Sequence, residues 1–272
     1  MDETQARPAD LDTSVAHPAR RYNYWLGGKD HFAADRESGD LLEKAMPTVR
    51  ILAVENRRFL QRAVTYLAGE AALDQFLDIG TGLPTADNTH EVAQRLNPRS
   101  RVVYVDNDPM VMTHARALLT STPEGRSAYI EEDLRNPDKI LAHPAVRETL
   151  DLGRPVALML IAVLHFIEDY DEARDIVRHL VDALPPGSHL AATNITYDFI
   201  SPEELAAAAA RFGNRKPDAF ARTRAEFTGF FDGLRLIDPG ITAVSEWRPT
   251  VPPADRVSPR AAAMYAAVAV KD

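Results

Sequence analysis

From Phe76 to Ile195 the chain alternates short apolar runs with amphipathic stretches, a pattern that points to a parallel sheet covered by helices. Phe76–Ile79, Val102–Val105 and Ala128–Ile130 read as three strands and His189–Ile195 as the fifth. Between them, Pro155–Phe166 is too continuously apolar for a half-exposed strand and suits a central one buried on both faces. Thr85 is read as the N-cap of a helix carrying Val92, Ala93 and Leu96, which Asn97-Pro98 stops. Asp108-Pro109 opens another helix, and Asp171–Leu184 repeats its apolar residues at the helical period until Pro185-Pro186-Gly187. Further on, Ser201-Pro202-Glu203-Glu204 is a capping box, and Pro217–Phe231 reads as a helix. Leu234–Ile237 and Met264–Val270 read as the last two strands.

The ends of the first three strands carry the chemistry. Asp78 is followed by Gly80-Thr81-Gly82, a turn that lets a ligand lie against bare backbone. Asp106 ends the second strand, and Asp133 lies just beyond the third. Open α/β sheets bind ligands at this edge. A pyrophosphate beside Asp78 would be repelled, which argues against a dinucleotide. S-adenosylmethionine carries a sulfonium and an ammonium against one carboxylate, so acidic strand ends suit it. Asp78 would face its ammonium, Asp106 both ribose hydroxyls and Asp133 the adenine amino group. The plainer alternative makes all three helix caps or solvated loop carboxylates.

Upstream, residues 1–17 are polar and rich in Pro and Ala, and are expected to be loose. Residues 18–69 form the next unit. It opens with three aromatics in four positions, Tyr22, Tyr24 and Trp25, followed by Gly27-Gly28. One reading is a local hydrophobic anchor. The other is a lid in which Tyr22 or Trp25 lies against a bound cofactor and Gly27-Gly28 forms the turn. Asp30, His31 and Asp35 lack metal-ligand spacing, so no metal is expected. Two helices follow, split by Pro47; the second carries an apolar stripe from Val49 to Leu67. Residues 70–272 are expected to form the main domain.

A formal charge of −9 argues against a surface built to coat nucleic acid, and the absence of cysteine rules out thiolate chemistry. No secretory leader or membrane-length apolar run is visible, so cytoplasm is the expected location. Nothing in the sequence fixes an oligomeric state.

Three segments together, Arg20–Asp30, Phe76–Thr85 and Val102–Pro109, resemble a largely actinobacterial family of S-adenosylmethionine-dependent methyltransferases long catalogued as a domain of unknown function. The resemblance spans roughly residues 15–270. It implies an α/β class I methyltransferase, Rossmann-like fold: a seven-stranded, mostly parallel sheet with helices on both faces, an antiparallel last strand and an N-terminal helical extension or lid. It also implies that Asp78, Gly80, Gly82, Asp106 and Asp133 line the cofactor site. Thr81, Asn107, Leu134 and Ala162 complete the expected set, with Tyr22 and Trp25 above. The third glycine of Gly-x-Gly-x-Gly is Pro84 here, read as the family's own variant.

Methyl transfer needs alignment and a dry pocket more than proton transfer. His165, past the fourth strand, is the candidate general base for a protonated acceptor; a hydrogen-bonded structural histidine is the alternative. The acceptor is expected to be a small molecule. A module that binds S-adenosylmethionine or S-adenosylhomocysteine without turnover is the competing function. An NAD enzyme fails on Asp78 and on the missing third glycine.

Overall fold

The computed structural model describes residues 12–118 and 120–272. The first part of the chain is helical: α1 (Pro18–Trp25), α2 (Ala33–Ala45) and α3 (Val49–Gly69). Strand and helix then alternate through β1 (Gln75–Ile79), α4 (Thr89–Leu96), β2 (Arg101–Asp106), α5 (Pro109–Leu118) and β3 (Arg126–Glu131). Two short helices, α6 (Pro137–Ala142) and α7 (Pro144–Thr149), precede β4 (Ala157–Leu160). After it come α8 (Tyr170–Asp182), β5 (His189–Ile195), α9 (Pro202–Phe212) and α10 (Arg224–Gly229). The chain closes with β6 (Arg235–Leu236), β7 (Thr242–Ala243), α11 (Pro259–Ala262) and β8 (Met264–Val270).

The strands form one sheet in the order β3-β2-β1-β4-β5-β8-β6, with β7 also paired to β8. The first five are parallel, and β8 runs antiparallel to β5. Eight segments are present where seven strands were expected, because the sixth is broken. β6 pairs with Ala269 and Val270, and β7 continues along the same strand at Tyr265 and Ala266. Side chains alternate between two cores. Leu77, Val103, Leu158 and Leu190 face α8 and α10, whereas Phe76, Val102, Ala157 and Ala191 face α3 and α4. Phe59, Ala63 and Leu67 of α3 belong to that second core, which explains the apolar stripe of this helix.

Three local expectations need correction. The Pro155–Phe166 run is not one long strand: β4 ends at Leu160, Ala162 adopts a left-handed φ of 56°, and Leu164–Phe166 is a 3-10 turn. Its apolar character persists because Leu164 is buried too. Thr85 does not cap α4. Asn88 occupies that position, its amide donating to the Glu91 carboxylate at 2.7 Å, and the Thr85 amide donates to Asn88 Oδ1. Only Arg224–Gly229 of the expected Pro217–Phe231 helix is helical. Phe220 and Arg222 instead donate backbone N–H bonds to His165 and Ile195, tying this segment to the strand ends.

The Met1–Leu11 part of the expected loose N-terminus lies outside the described residues. Among the described residues, no helix is long and apolar enough to cross a membrane.

Candidate functional site

The C-terminal ends of β1 to β5 open into a cavity of about 880 Å³, roofed by α1, α2, the start of α3 and α9. All twelve residues singled out from the sequence line it: Tyr22, Trp25, Asp78, Gly80, Thr81, Gly82, Asp106, Asn107, Asp133, Leu134, Ala162 and His165.

At the first strand end, Asp78 is buried and accepts a 2.6 Å bond from the Thr89 hydroxyl. Burial pushes its carboxyl up to about 6, against the Thr89 bond and the nearby Arg57 charge. Gly80 has φ +75°, and a Cβ there would lie 2.4 Å from Val163 Cγ2, so the turn needs glycine for both reasons. Gly82, φ +67°, donates its amide to Asp106 Oδ2 at 2.8 Å, and the Asp108 amide reaches Oδ1 at 2.9 Å. Asp106 is also pushed up to about 6, chiefly by burial, with these two amides acting in the opposite direction. Burial thus penalises the ionised form of both carboxylates, the form that a cationic ligand would stabilise.

Asp133 differs. Burial raises its pKa, but the Arg135 amide, the Asn107 side chain and the Arg135 charge outweigh it and hold the carboxyl below the usual range. Its Oδ2 accepts from Asn107 Nδ2 at 2.9 Å, which joins the second and third strand ends. Its Oδ1 accepts the Arg135 amide at 2.8 Å and the Arg135 guanidinium at 3.3 Å, so a ligand donor here would compete with that guanidinium.

The N-terminal helix is fastened to this edge. Arg20 grips the buried Asp108 with two bonds of 3.0 and 3.2 Å. The Tyr22 hydroxyl donates to the Ala53 carbonyl at 2.9 Å and accepts from Asn56 Nδ2 at 2.8 Å. Asn56 Oδ1 accepts from Thr193 Oγ1, which in turn accepts the Ala162 amide, both at 2.8 Å. This chain explains why Ala162 leaves the β4 ladder, and it leaves the ring as Tyr22's contribution to the cavity wall. Trp25 donates its indole N–H to the Gly39 carbonyl at 3.4 Å. Gly27 and Gly28 do not line the cavity; their amides close α1 on the Tyr24 and Asn23 carbonyls. Among the described residues, no group of three or more His, Asp or Glu side chains is placed to hold a metal ion.

His165 stands at the other end, beyond β4. It is buried and its Nδ1 has no hydrogen-bond partner. Burial drives its pKa down to about 4; Asp218 pulls the other way, while Arg21 and Arg222 reinforce the fall. The ring is neutral near pH 7, but so weak a base gives little driving force for taking a proton from an alcohol.

Sequence reasoning missed Arg21, Arg57 and Asp218, which also line the cavity. Arg21 pairs with Asp218 and donates to Ser38 Oγ at 3.1 Å, yet its buried Nε is unpartnered. Arg57 bonds Asn88 Oδ1 at 2.8 Å, and its Nε is also buried without a partner. The Arg20-Arg21 pair was visible as a motif; nothing local marked Arg57 or Asp218.

The profile of a family described as S-adenosyl methyltransferase matches residues 4–272. A DUF574 family protein from Streptomyces avermitilis shares 49% identity over 96% of this chain and 100% of its own, with a TM-score of 0.90. A Thermobifida fusca protein proposed to be a methyltransferase shares 42% identity over 99% of this chain and 100% of its own, at a TM-score of 0.87. At 13% identity the likeness is of fold alone: magnesium protoporphyrin IX methyltransferase from Synechocystis, with S-adenosylhomocysteine bound, covers 93% of each chain at a TM-score of 0.53. No curated protein matches the chain. A family match over nearly the whole chain, on a class I methyltransferase fold, makes this protein a member of the S-adenosyl methyltransferase family and an S-adenosylmethionine-dependent methyltransferase.

Proposed function

We propose that the protein methylates a small-molecule acceptor held over β4 and β5, with S-adenosylmethionine lying across the ends of β1, β2 and β3. The observation that carries this reading is the cavity of about 880 Å³ shared by all five strand ends. Small-molecule sites run from about 300 to 1,000 Å³, so this one has room for a cofactor and a second molecule.

The residues suit the cofactor group by group. Asp78 receives the ammonium, and the unpartnered Arg57 Nε–H, close enough for its charge to act on Asp78, receives the carboxylate. Asp106 accepts the ribose hydroxyls and Asp133 the adenine amino group. Gly80, Thr81 and Gly82 offer backbone, while Asn107, Leu134 and Ala162 form the walls. Tyr22 and Trp25 cover the sulfonium. When bound, S-adenosylmethionine supplies a methyl group already activated for displacement. The protein's task is then to align the acceptor and exclude water. His165 contacts the acceptor rather than the cofactor.

Two measurements test this. Calorimetry should detect binding of S-adenosylmethionine and S-adenosylhomocysteine, and incubation with a small-molecule panel should yield S-adenosylhomocysteine. Tight cofactor binding with no turnover on any panel member would favour a cofactor-sensing module instead.

A further inference from the structure

The charges lining the cavity are sorted by end. Around the ends of β1, β2 and β3 stand four carboxylates, Asp78, Asp106, Glu132 and Asp133, against two arginines, Arg57 and Arg135. Over β4 and β5 the balance reverses, with Arg21, Arg211 and Arg260 against Glu204 and Asp218. Arg260 pairs with Glu204 and Arg21 with Asp218, so the surplus positive charge of the second end is Arg211.

Apart from Tyr197, the rest of the wall of the second end is largely apolar: Leu42, Met46, Ile195, Ile200, Leu205 and Phe212. Two of the residues lining that half have a buried polar atom without a partner, Arg21 Nε and His165 Nδ1. Both side chains are more than nine-tenths buried. An unsatisfied buried donor costs stability unless something fills it. Both residues line the cavity although these two atoms are closed off from it; a turn of either side chain would bring its N–H against a ligand oxygen and give it the partner it lacks.

We propose that the acceptor is an apolar acid that arrives already ionised, its oxyanion held by the Arg21 Nε–H and the His165 ring. The inference rests on the methyltransferase reading of the cavity. An oxyanion lone pair forms the new O–C bond as the C–S bond breaks and its electron pair stays on sulfur. Anion and sulfonium become two neutral groups, and no proton has to leave. His165 is suited to this role because it stays neutral and can donate from Nδ1, whereas it is a poor base. Asp218, on the segment that crosses His165, holds the Arg21 guanidinium until the acceptor competes for it. Its side chain is 47% exposed, so it can turn to solvent when displaced.

The test is calorimetric and needs no turnover. The protein is first saturated with S-adenosylhomocysteine, then titrated with naphthoate, octanoate, naphthol and neutral naphthamide. Naphthoate or octanoate should bind roughly tenfold to a hundredfold more tightly than naphthamide, the range of a charge-assisted bond to a buried donor. A preference for naphthol at a pH where it ionises, with weak carboxylate binding, would identify the oxyanion as a phenolate. Arg21→Gln should abolish the preference for the anion. Because Arg21 is buried and that variant can fail to fold, Asp218→Asn gives a second arm. It frees the guanidinium and should tighten anion binding several-fold while leaving naphthamide unchanged. Amide binding as tight as that of the acids, no acid binding at all, or an Asp218→Asn protein with unchanged anion affinity would overturn the proposal. Failure of S-adenosylhomocysteine to bind in the first step would instead count against the cofactor assignment.

Discussion

Asp78 and Asp106 are buried carboxylates whose pKa values lie near 6, above the ordinary value of 3.8. Burial favours their protonated forms in the ligand-free protein. The stability this contributes is full below about pH 4 and is lost as the pH rises through about 6. A cation at the site has the opposite preference, since it is attracted only to the ionised forms. Affinity for S-adenosylmethionine should therefore rise as the pH passes upward through 6, with proton release below that point. Calorimetry in two buffers of different ionisation enthalpy would measure both; a flat affinity across this window would contradict the assignment. Asp106→Ala should weaken cofactor binding by about 1.5–3 kcal/mol, because a charged acceptor for two hydroxyls is lost. An affinity unchanged within about a factor of two, roughly 0.4 kcal/mol by the same arithmetic, would show that the ribose does not lie there. Arg57→Gln should weaken S-adenosylmethionine and S-adenosylhomocysteine alike, since both carry the carboxylate, and a selective loss of one would reject the Arg57 role.

At the scale of elements, α1 is joined to the sheet by the Tyr22–Asn56–Thr193–Ala162 hydrogen-bond chain and by the Arg20–Asp108 pair. Its two cavity aromatics then have separable roles. Tyr22→Phe removes the hydroxyl and keeps the ring, so it should cost about 1 kcal/mol of stability and leave cofactor discrimination intact. Trp25→Ala should stay folded and lose part of the preference for the sulfonium over the uncharged thioether, about 0.5–2 kcal/mol. Denaturant melts paired with calorimetry separate the two effects; equal behaviour of the variants would reduce α1 to a packing anchor. The legible parts of this architecture were those written locally. Apolar runs ending in Asp78 and Asp106 marked the strand ends, and the sequence bounds of β5 and β8 agree with the structure. What stayed hidden depends on distant partners. β4 stops early because the Ala162 amide turns to Thr193, and residues 217–223 stay out of the helix because Phe220 and Arg222 bond His165 and Ile195. Arg21 meets Asp218 across 197 positions, and no periodicity in either segment encodes that meeting.

At the scale of the molecule, the sheet order places β1 between β2 and β4, so one edge serves two neighbouring sites. On one side of β1 the strand ends are acidic; on the other the cavity is apolar with excess arginine. The net charge of −9 argues against a surface built to hold a polyanion. We propose that the cofactor lies across β1 to β3 with its sulfur turned toward His165. A crystal structure of the S-adenosylhomocysteine complex tests it most directly. The ribose is expected on Asp106, the carboxylate on Arg57, the Trp25 ring over the sulfur and open space between that sulfur and His165. An adenosine bound over β4 and β5, or a sulfur turned away from His165, would contradict it.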